Sequence, residues 1–215
     1  MKTRKVLNWL PLVLLAASAA QAESLVEGSI EAGKAVSVTC SACHGTEGKS
    51  ANPVWPNIAG QNATYLVTQL KAFRDGAANP AEAKRYNPLM SPQSMALSDE
   101  DIRNLAVFYE SLPAPVQAVA NPETIDRGEA LYRGGDLERG IAACLACHGP
   151  TGRGNPAAGY PALQGQHAVY TAQTLRDYAS GARKSDGATR MMRDIASRLS
   201  AEDIDALASY IQGLR

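Results

Sequence analysis

Cys144-Leu145-Ala146-Cys147-His148 and its earlier copy, Cys40-Ser41-Ala42-Cys43-His44, decide how this chain is read. A C-x-x-C-H run is the attachment pattern of c-type haem. Two thiols add across the vinyl groups as thioethers, and the two-residue spacer lets both sulfurs reach one porphyrin edge. The histidine that follows lies under the iron as a nitrogen ligand. A single short motif can be accidental, but these two runs together use all four cysteines of the chain. A thioredoxin-like redox motif also uses C-x-x-C, without needing the histidine, and a single zinc would require the two halves to meet at the metal. The motifs point to two covalently bound haem c groups, attached through Cys40, Cys43, Cys144 and Cys147, with His44 and His148 on the irons.

The motifs lie 104 residues apart, and the match extends beyond them. Trp55-Pro56-Asn57-Ile58-Ala59-Gly60-Gln61 aligns with Tyr160-Pro161-Ala162-Leu163-Gln164-Gly165-Gln166 at an offset of 105. Tyr65, Leu70, Phe73 and Gly76 match Tyr170, Leu175, Tyr178 and Gly181 at the same offset, and Leu97–Ile102 matches Leu199–Ile204 at 102. The drift implies small insertions in a tandem duplication whose period is too long for a solenoid. The joint, residues 113–121, carries prolines at 113 and 115 and runs into Pro122, which predicts an extended, semi-stiff linker. The division is then a first domain at 23–112, the linker, and a second domain at 122–215. Each half is small for a protein core, and a buried haem would supply much of the missing apolar contact.

The N-terminus reads as a secretory signal peptide over residues 1–22. Lys2, Arg4 and Lys5 precede a short apolar run, and Ala20-Gln21-Ala22 is an A-x-A cleavage site, giving a mature chain from Glu23. A retained anchor is the rival reading, and the run is short for a membrane span. Whole-chain charge balances at 21 basic and 21 acidic residues; removing 1–22 leaves a net of −3. That gives no support to nucleic-acid binding, which favours a basic face.

Helical periodicity dominates and no alternating strand pattern emerges, so the fold class is all-α. Gly33–Thr39 and Gly128–Arg133 fit a first helix. Ala63–Asp75 and Ala168–Ser180 fit a second, closed by Gly76 and Gly181 as C-caps. Ser98 and Ser200 are N-caps of a last helix whose stripes are Ile102, Leu105, Ala106, Tyr109 and Ile204, Leu207, Ala208, Ile211.

Three histidines exclude two bis-histidine haems from this chain, because only His167 lies outside the motifs, and it aligns with Asn62 as a surface or packing residue. Methionine is the alternative. Met90 lies seven residues before Leu97 and Met192 seven before Leu199, whereas Met95 and Met191 have no matched positions. Met90 and Met192 are therefore the candidate sixth ligands, against the commoner use of methionine as core filler. A thioether favours ferrous iron, raises the potential, and closes the site, which suits electron transfer. Trp55, Tyr160, Ile58 and Leu163 are candidates for packing beside the haems. Pro56 or Pro161 offers a carbonyl to the histidine's other nitrogen. Arg127, Arg133, Arg139 and Arg153 stand between a propionate role and an ordinary solvated one.

The chain resembles the dihaem cytochrome c4 family over essentially its whole mature length. The resemblance rests on the two C-x-x-C-H motifs, the aromatic-Pro-x-aliphatic-x-Gly-Gln segments, Gly134-Gly135, and the closing Ser209-Tyr210-Ile211-Gln212-Gly213-Leu214. It implies two tandem cytochrome c-like helical domains, each wrapped around one haem and related by a pseudo-twofold axis, with axial methionines at Met90 and Met192. A local departure is Gln93, where family members often carry a second methionine. It also implies a periplasmic electron carrier, soluble or peripherally membrane-attached, fed by a quinol-oxidising complex or other donor and able to pass electrons to a terminal oxidase such as the cbb3 type. An electron-transfer protein rather than an enzyme is the expectation. The rivals are a dihaem peroxidase or thiosulfate-oxidising enzyme, which would need an open iron and adjacent acid/base groups, and a haem subunit of a larger dehydrogenase.

Overall fold

The structure, a computed structural model, describes residues 24–215; the signal peptide expected at 1–22 lies outside the described residues. Two runs of five helices follow one another. The first comprises α1 (Ile30–Val36), α2 (Ser41–His44), α3 (Ala63–Ala78), α4 (Met90–Met95) and α5 (Asp99–Ser111). The second comprises α6 (Ile125–Gly134), α7 (Leu145–His148), α8 (Ala168–Ser180), α9 (Met191–Ala196) and α10 (Ala201–Gly213). Only two isolated β-bridges, Asp136–Ile141 and Asn155–Tyr160, occur among the described residues, so the all-α expectation holds.

Each half packs its elements in the same pairs: α1 on α5 and α3 on α4 and α5, then α6 on α10 and α8 on α9 and α10. Two separate cores result. One gathers Leu66, Leu105, Val107, Phe108 and Tyr109; the other gathers Leu131, Tyr132, Leu175, Leu207 and Ile211. The α1/α5 and α6/α10 crossings depend on Gly33 and Gly128. A Cβ at either would overlap the carbonyl of Asn104 or Ala206 on the facing helix, so only glycine permits this closeness.

The last helices start as their sequences predict. Ser98 and Ser200 accept from the amides of Asp101 and Asp203, whose carboxylates accept from the serine amides in return, completing capping boxes. Gly181 ends α8 in the left-handed conformation at φ 77°. Gly76 does not end α3. The helix continues to Ala78, and Gly76 lies inside it, where the Arg85 carbonyl comes too close for a Cβ. Helix α1 begins at Ile30, capped by Ser29, three residues earlier than expected.

Small insertions hold after the motifs and fail before them. Gly33 and Gly128 are 95 residues apart and the motifs 104, so the second half carries nine additional residues between its first helix and its motif. They form the loop of the Asp136–Ile141 bridge. The linker, without regular structure over 113–119, is fastened to the second half: Gln117 Nε2 donates to the Gly165 carbonyl (2.6 Å) and Gln212 Nε2 to the Ala118 carbonyl (3.0 Å).

Candidate functional site

Both haem motifs fold as single helical turns, α2 and α7, with Cys40 and Cys144 packed against the two cores, Cys43 exposed and both histidines turned inward. His44 and His148 are buried, each 6% exposed. Nδ1 of His44 lies 2.8 Å from the Pro56 carbonyl, and Nδ1 of His148 lies 3.0 Å from the Pro161 carbonyl. A carbonyl only accepts, so each Nδ1 carries the proton. Burial, partly opposed by that bond, lowers both imidazole pKa values and favours the neutral ring. A neutral ring protonated at Nδ1 has a bare Nε2 lone pair, the form a metal takes.

None of the four cysteines is in a disulfide. Burial pushes the Cys144 thiol up to about 11, the reverse of what a redox C-x-x-C needs. No cluster of three or more His, Cys, Asp or Glu able to hold a metal ion occurs among the described residues, which leaves the zinc reading without a site. Met90 opens α4 and is half-buried; its amide donates to Asn87 Oδ1 (2.9 Å). Met192, also half-buried, packs on the second core. Met95 and Met191 are exposed, at 61% and 36%. This donor set fits one c-type haem in each half.

The two halves meet through matched positions. Gln61 and Gln166, which close the repeated aromatic-Pro segments, each reach across the interface. Gln61 accepts from the Ala162 amide (2.8 Å) and donates to the Ala162 carbonyl (2.9 Å); Gln166 does the same with Asn57 (2.9 and 2.8 Å). Asn62 donates to the Tyr160 carbonyl (2.8 Å), and His167 Nε2 lies 2.9 Å from the Ser50 carbonyl, giving that histidine a packing role at the interface. Reciprocity at equivalent residues is the signature of a pseudo-twofold axis.

Two guanidiniums complete the pattern. Arg85 stacks on Phe73 and donates to Tyr170 Oη (3.0 Å); Arg183, only 4% exposed, stacks on Tyr178 and donates to Tyr65 Oη (2.6 Å). Neither has a carboxylate partner among the described residues. Their field, working against burial, pulls the Tyr170 phenol below its usual range, so this seam favours an anion. Arg127 and Arg139 instead bind Asp203, and Arg133 pairs with Glu129. Arg85 and Arg183 do not stand out in the sequence, because they fall 98 residues apart, outside the blocks that align at 105. Gln61 aligns with Gln166, but an offset carries no information on which half a side chain touches.

The cytochrome c family model matches residues 30–113 and again 125–215. Cytochrome c4 of Stutzerimonas stutzeri is 43% identical over 87% of this chain and 90% of its own. The chain belongs to the cytochrome c4 family. Reduced recombinant cytochrome c4 from Pseudomonas stutzeri, a crystal structure, matches at a TM-score of 0.85 and 42% identity, covering 88% of this chain and 100% of that one. A thiosulfate dehydrogenase electron acceptor from Stutzerimonas stutzeri strain A1501 is 38% identical over 80% of this chain and 77% of its own. As a cytochrome c4 relative, the chain is a dihaem electron-transfer cytochrome of two tandem helical domains, a family whose haem c is covalently bound.

Proposed function

We propose that this cytochrome is an exported, periplasmic carrier that passes single electrons between respiratory-chain partners. Cys40, Cys43, Cys144 and Cys147 hold the two haems as thioethers; His44 with Met90 and His148 with Met192 are the axial pairs. Bound there, haem supplies a one-electron couple. The carbonyls of Pro56 and Pro161 fix the ring orientation and protonation of the two histidines. Met90 and Met192 close the far side with a soft donor and leave no position for a substrate, which favours a carrier over an enzyme. Arg85 and Arg183 meet the propionates at the interface, where charge-assisted bonds are strong.

The observation that carries this reading is the doubled arrangement of a buried, neutral histidine with Nδ1 on a proline carbonyl and Nε2 bare. Export rests on the signal-like N-terminus cleaved after Ala22, and no described helix is long and apolar enough to cross a membrane. Attachment, where it occurs, is peripheral. The donor is a quinol-oxidising complex or another periplasmic enzyme, the second being supported by the relative that accepts electrons for thiosulfate dehydrogenase. A terminal oxidase such as the cbb3 type is the acceptor.

Protein purified from a haem-loading host should contain two haems per chain. Met192→Ala should lower the second haem's potential by on the order of 0.1 V, within the ~0.8 V that axial ligands span, and let carbon monoxide bind its ferrous iron. Met90→Ala should do the same to the first haem. Unchanged potentials with no carbon monoxide complex would remove both methionines from the site, and a vacant iron with peroxide turnover in the unaltered protein would favour the enzyme.

A further inference from the structure

Pro56 and Asn57 share one peptide group, and it is engaged at both ends. Its carbonyl accepts from His44 Nδ1 (2.8 Å), and its N–H donates to Oε1 of Gln166, from the other half (2.9 Å). The equivalent peptide, Pro161–Ala162, accepts from His148 (3.0 Å) and donates to Oε1 of Gln61 (2.8 Å). Each glutamine also returns a bond from Nε2 to the carbonyl of the residue it clamps, which fixes the amide's orientation. The two three-part chains are related by the pseudo-twofold axis, and each crosses the domain boundary.

We propose that Gln61 and Gln166 are positioning residues that set the reduction potential of the haem in the opposite domain. This rests on reading His44 and His148 as iron ligands. A peptide whose N–H is donating is a better acceptor at its carbonyl, because hydrogen bonds in series polarise one another. A stronger carbonyl acceptor draws more on Nδ1–H and makes the imidazole a stronger donor through Nε2. A stronger nitrogen donor favours ferric over ferrous iron. Gln166 thus holds down the potential of the haem on His44, and Gln61 that of the haem on His148. The route is two bonds long, passes through one rigid planar group, and needs no movement of either domain.

Gln166→Met keeps much of the side-chain volume and removes both amide contacts. Spectroelectrochemistry on the haem-loaded protein should show the first haem's potential rising, equivalent to about a threefold to tenfold change in its ferric-to-ferrous ratio at fixed electrode potential, tenfold being 59 mV for one electron. The second haem should move less than about twofold on the same scale. Gln61→Met should give the reverse assignment, and the double variant should move both. A second readout is the Nδ1–H proton resonance of each axial histidine in the ferrous state. It should shift for His44 in Gln166→Met and for His148 in Gln61→Met. Glutamines that merely glue the interface would lower thermal stability while both potentials moved together or not at all, and that overturns the proposal. Potentials that shift in the same half as the substitution also overturn it. Variants that load two haems with an unaltered ligand spectrum separate this outcome from failure of the ligand reading, which would appear as a chain that takes up no haem at His44 or His148.

Discussion

Asp101 and Asp203 sit at the same turn of the same helix in the two halves, and both close a capping box. Their surroundings differ sharply. Asp101 is half-exposed and bonds mainly to Ser98. The Asp203 side chain is fully buried and takes Arg127 on one oxygen and Arg139 on the other. Arg139 arrives on the nine-residue loop that only the second half has, and Arg127 stands where the first half has Ala32. The methionine loops diverge as well: Asn87 accepts the Leu89 and Met90 amides, whereas Asp186 pairs with Arg193 beside Met192. Equivalent ligand sets therefore stand in unlike electrostatic shells. Duplicated chemistry does not require duplicated stability or a shared potential.

The largest expected test of that contrast is Asp203→Asn against Asp101→Asn. Removing the Asp203 charge leaves two guanidiniums facing a neutral amide. The cost should be about 3 kcal/mol, the low end for breaking a buried pair, because Arg127 and Arg139 keep access to water. Asp101→Asn should cost about 1 kcal/mol or less as a weakened cap. Hydrogen exchange of the α5 and α10 amides separates the two halves, and equal losses would dissolve the contrast. The pH dependence follows the same line. Burial alone would raise the Asp203 pKa, but the bonds from Arg139, the Ser200 amide and Arg127 more than offset it and hold the carboxyl well below the usual range. With the folded value depressed, the stabilisation is present above the unfolded value of about 3.9 and is lost as pH falls from there toward the native value. The second half should lose exchange protection below about pH 4, and Asp203→Asn should weaken that dependence, leaving the part due to Asp136 and Glu202, whose carboxyls are also held low by bonds from Arg139 and Ser200.

The methionine loops sharpen the comparison at smaller scale. Asp186 and Arg193 form a pair with side chains only 4% and 12% exposed, so Asp186→Asn should cost about 2 kcal/mol. Asn87→Ala removes the one oxygen that accepts from the Leu89 and Met90 amides and should cost about 1 kcal/mol. Loosening either loop should speed carbon monoxide binding to the ferrous haem of that half alone. A variant that affects the other haem would mean that the loops do not act locally.

How much of this was legible depended on whether the feature repeats. The motifs, the capping serines and the glutamine-closing segments recur at nearly constant offset, and the fold followed from them. Gly76 misled because a glycine near a helix end looks the same whether it takes a left-handed cap or makes room for a neighbouring backbone, here that of Arg85. The α4 and α9 helices went unread because six residues are too few for apolar periodicity to emerge. Arg85 and Arg183 were hidden by composition: a buried arginine and a solvated one are the same letter, and only packing against Phe73 and Tyr178 distinguishes them.

The smallest effect should come from Arg190, the only non-glycine residue with positive φ among the described residues, at 54°. It sits two residues before Met192, where the first half has Pro88, whose ring excludes that conformation. A side chain in the left-handed region costs about 1–2 kcal/mol. The compensation visible at Arg190 is an exposed pair with Asp194 at 3.5 Å, which contributes little. Arg190→Gly relieves the strain but adds freedom to the unfolded chain, worth roughly 0.5–1 kcal/mol in the opposite direction. The net gain should be a few tenths of a kcal/mol up to about 1 kcal/mol, confined to the second half. Slower exchange of the α9 amides and slower carbon monoxide entry at the second ferrous haem would register it. Lower stability in Arg190→Gly would mean that the Arg190 side chain holds the Met192 loop in place, and the two loops would then differ by a contact rather than by strain.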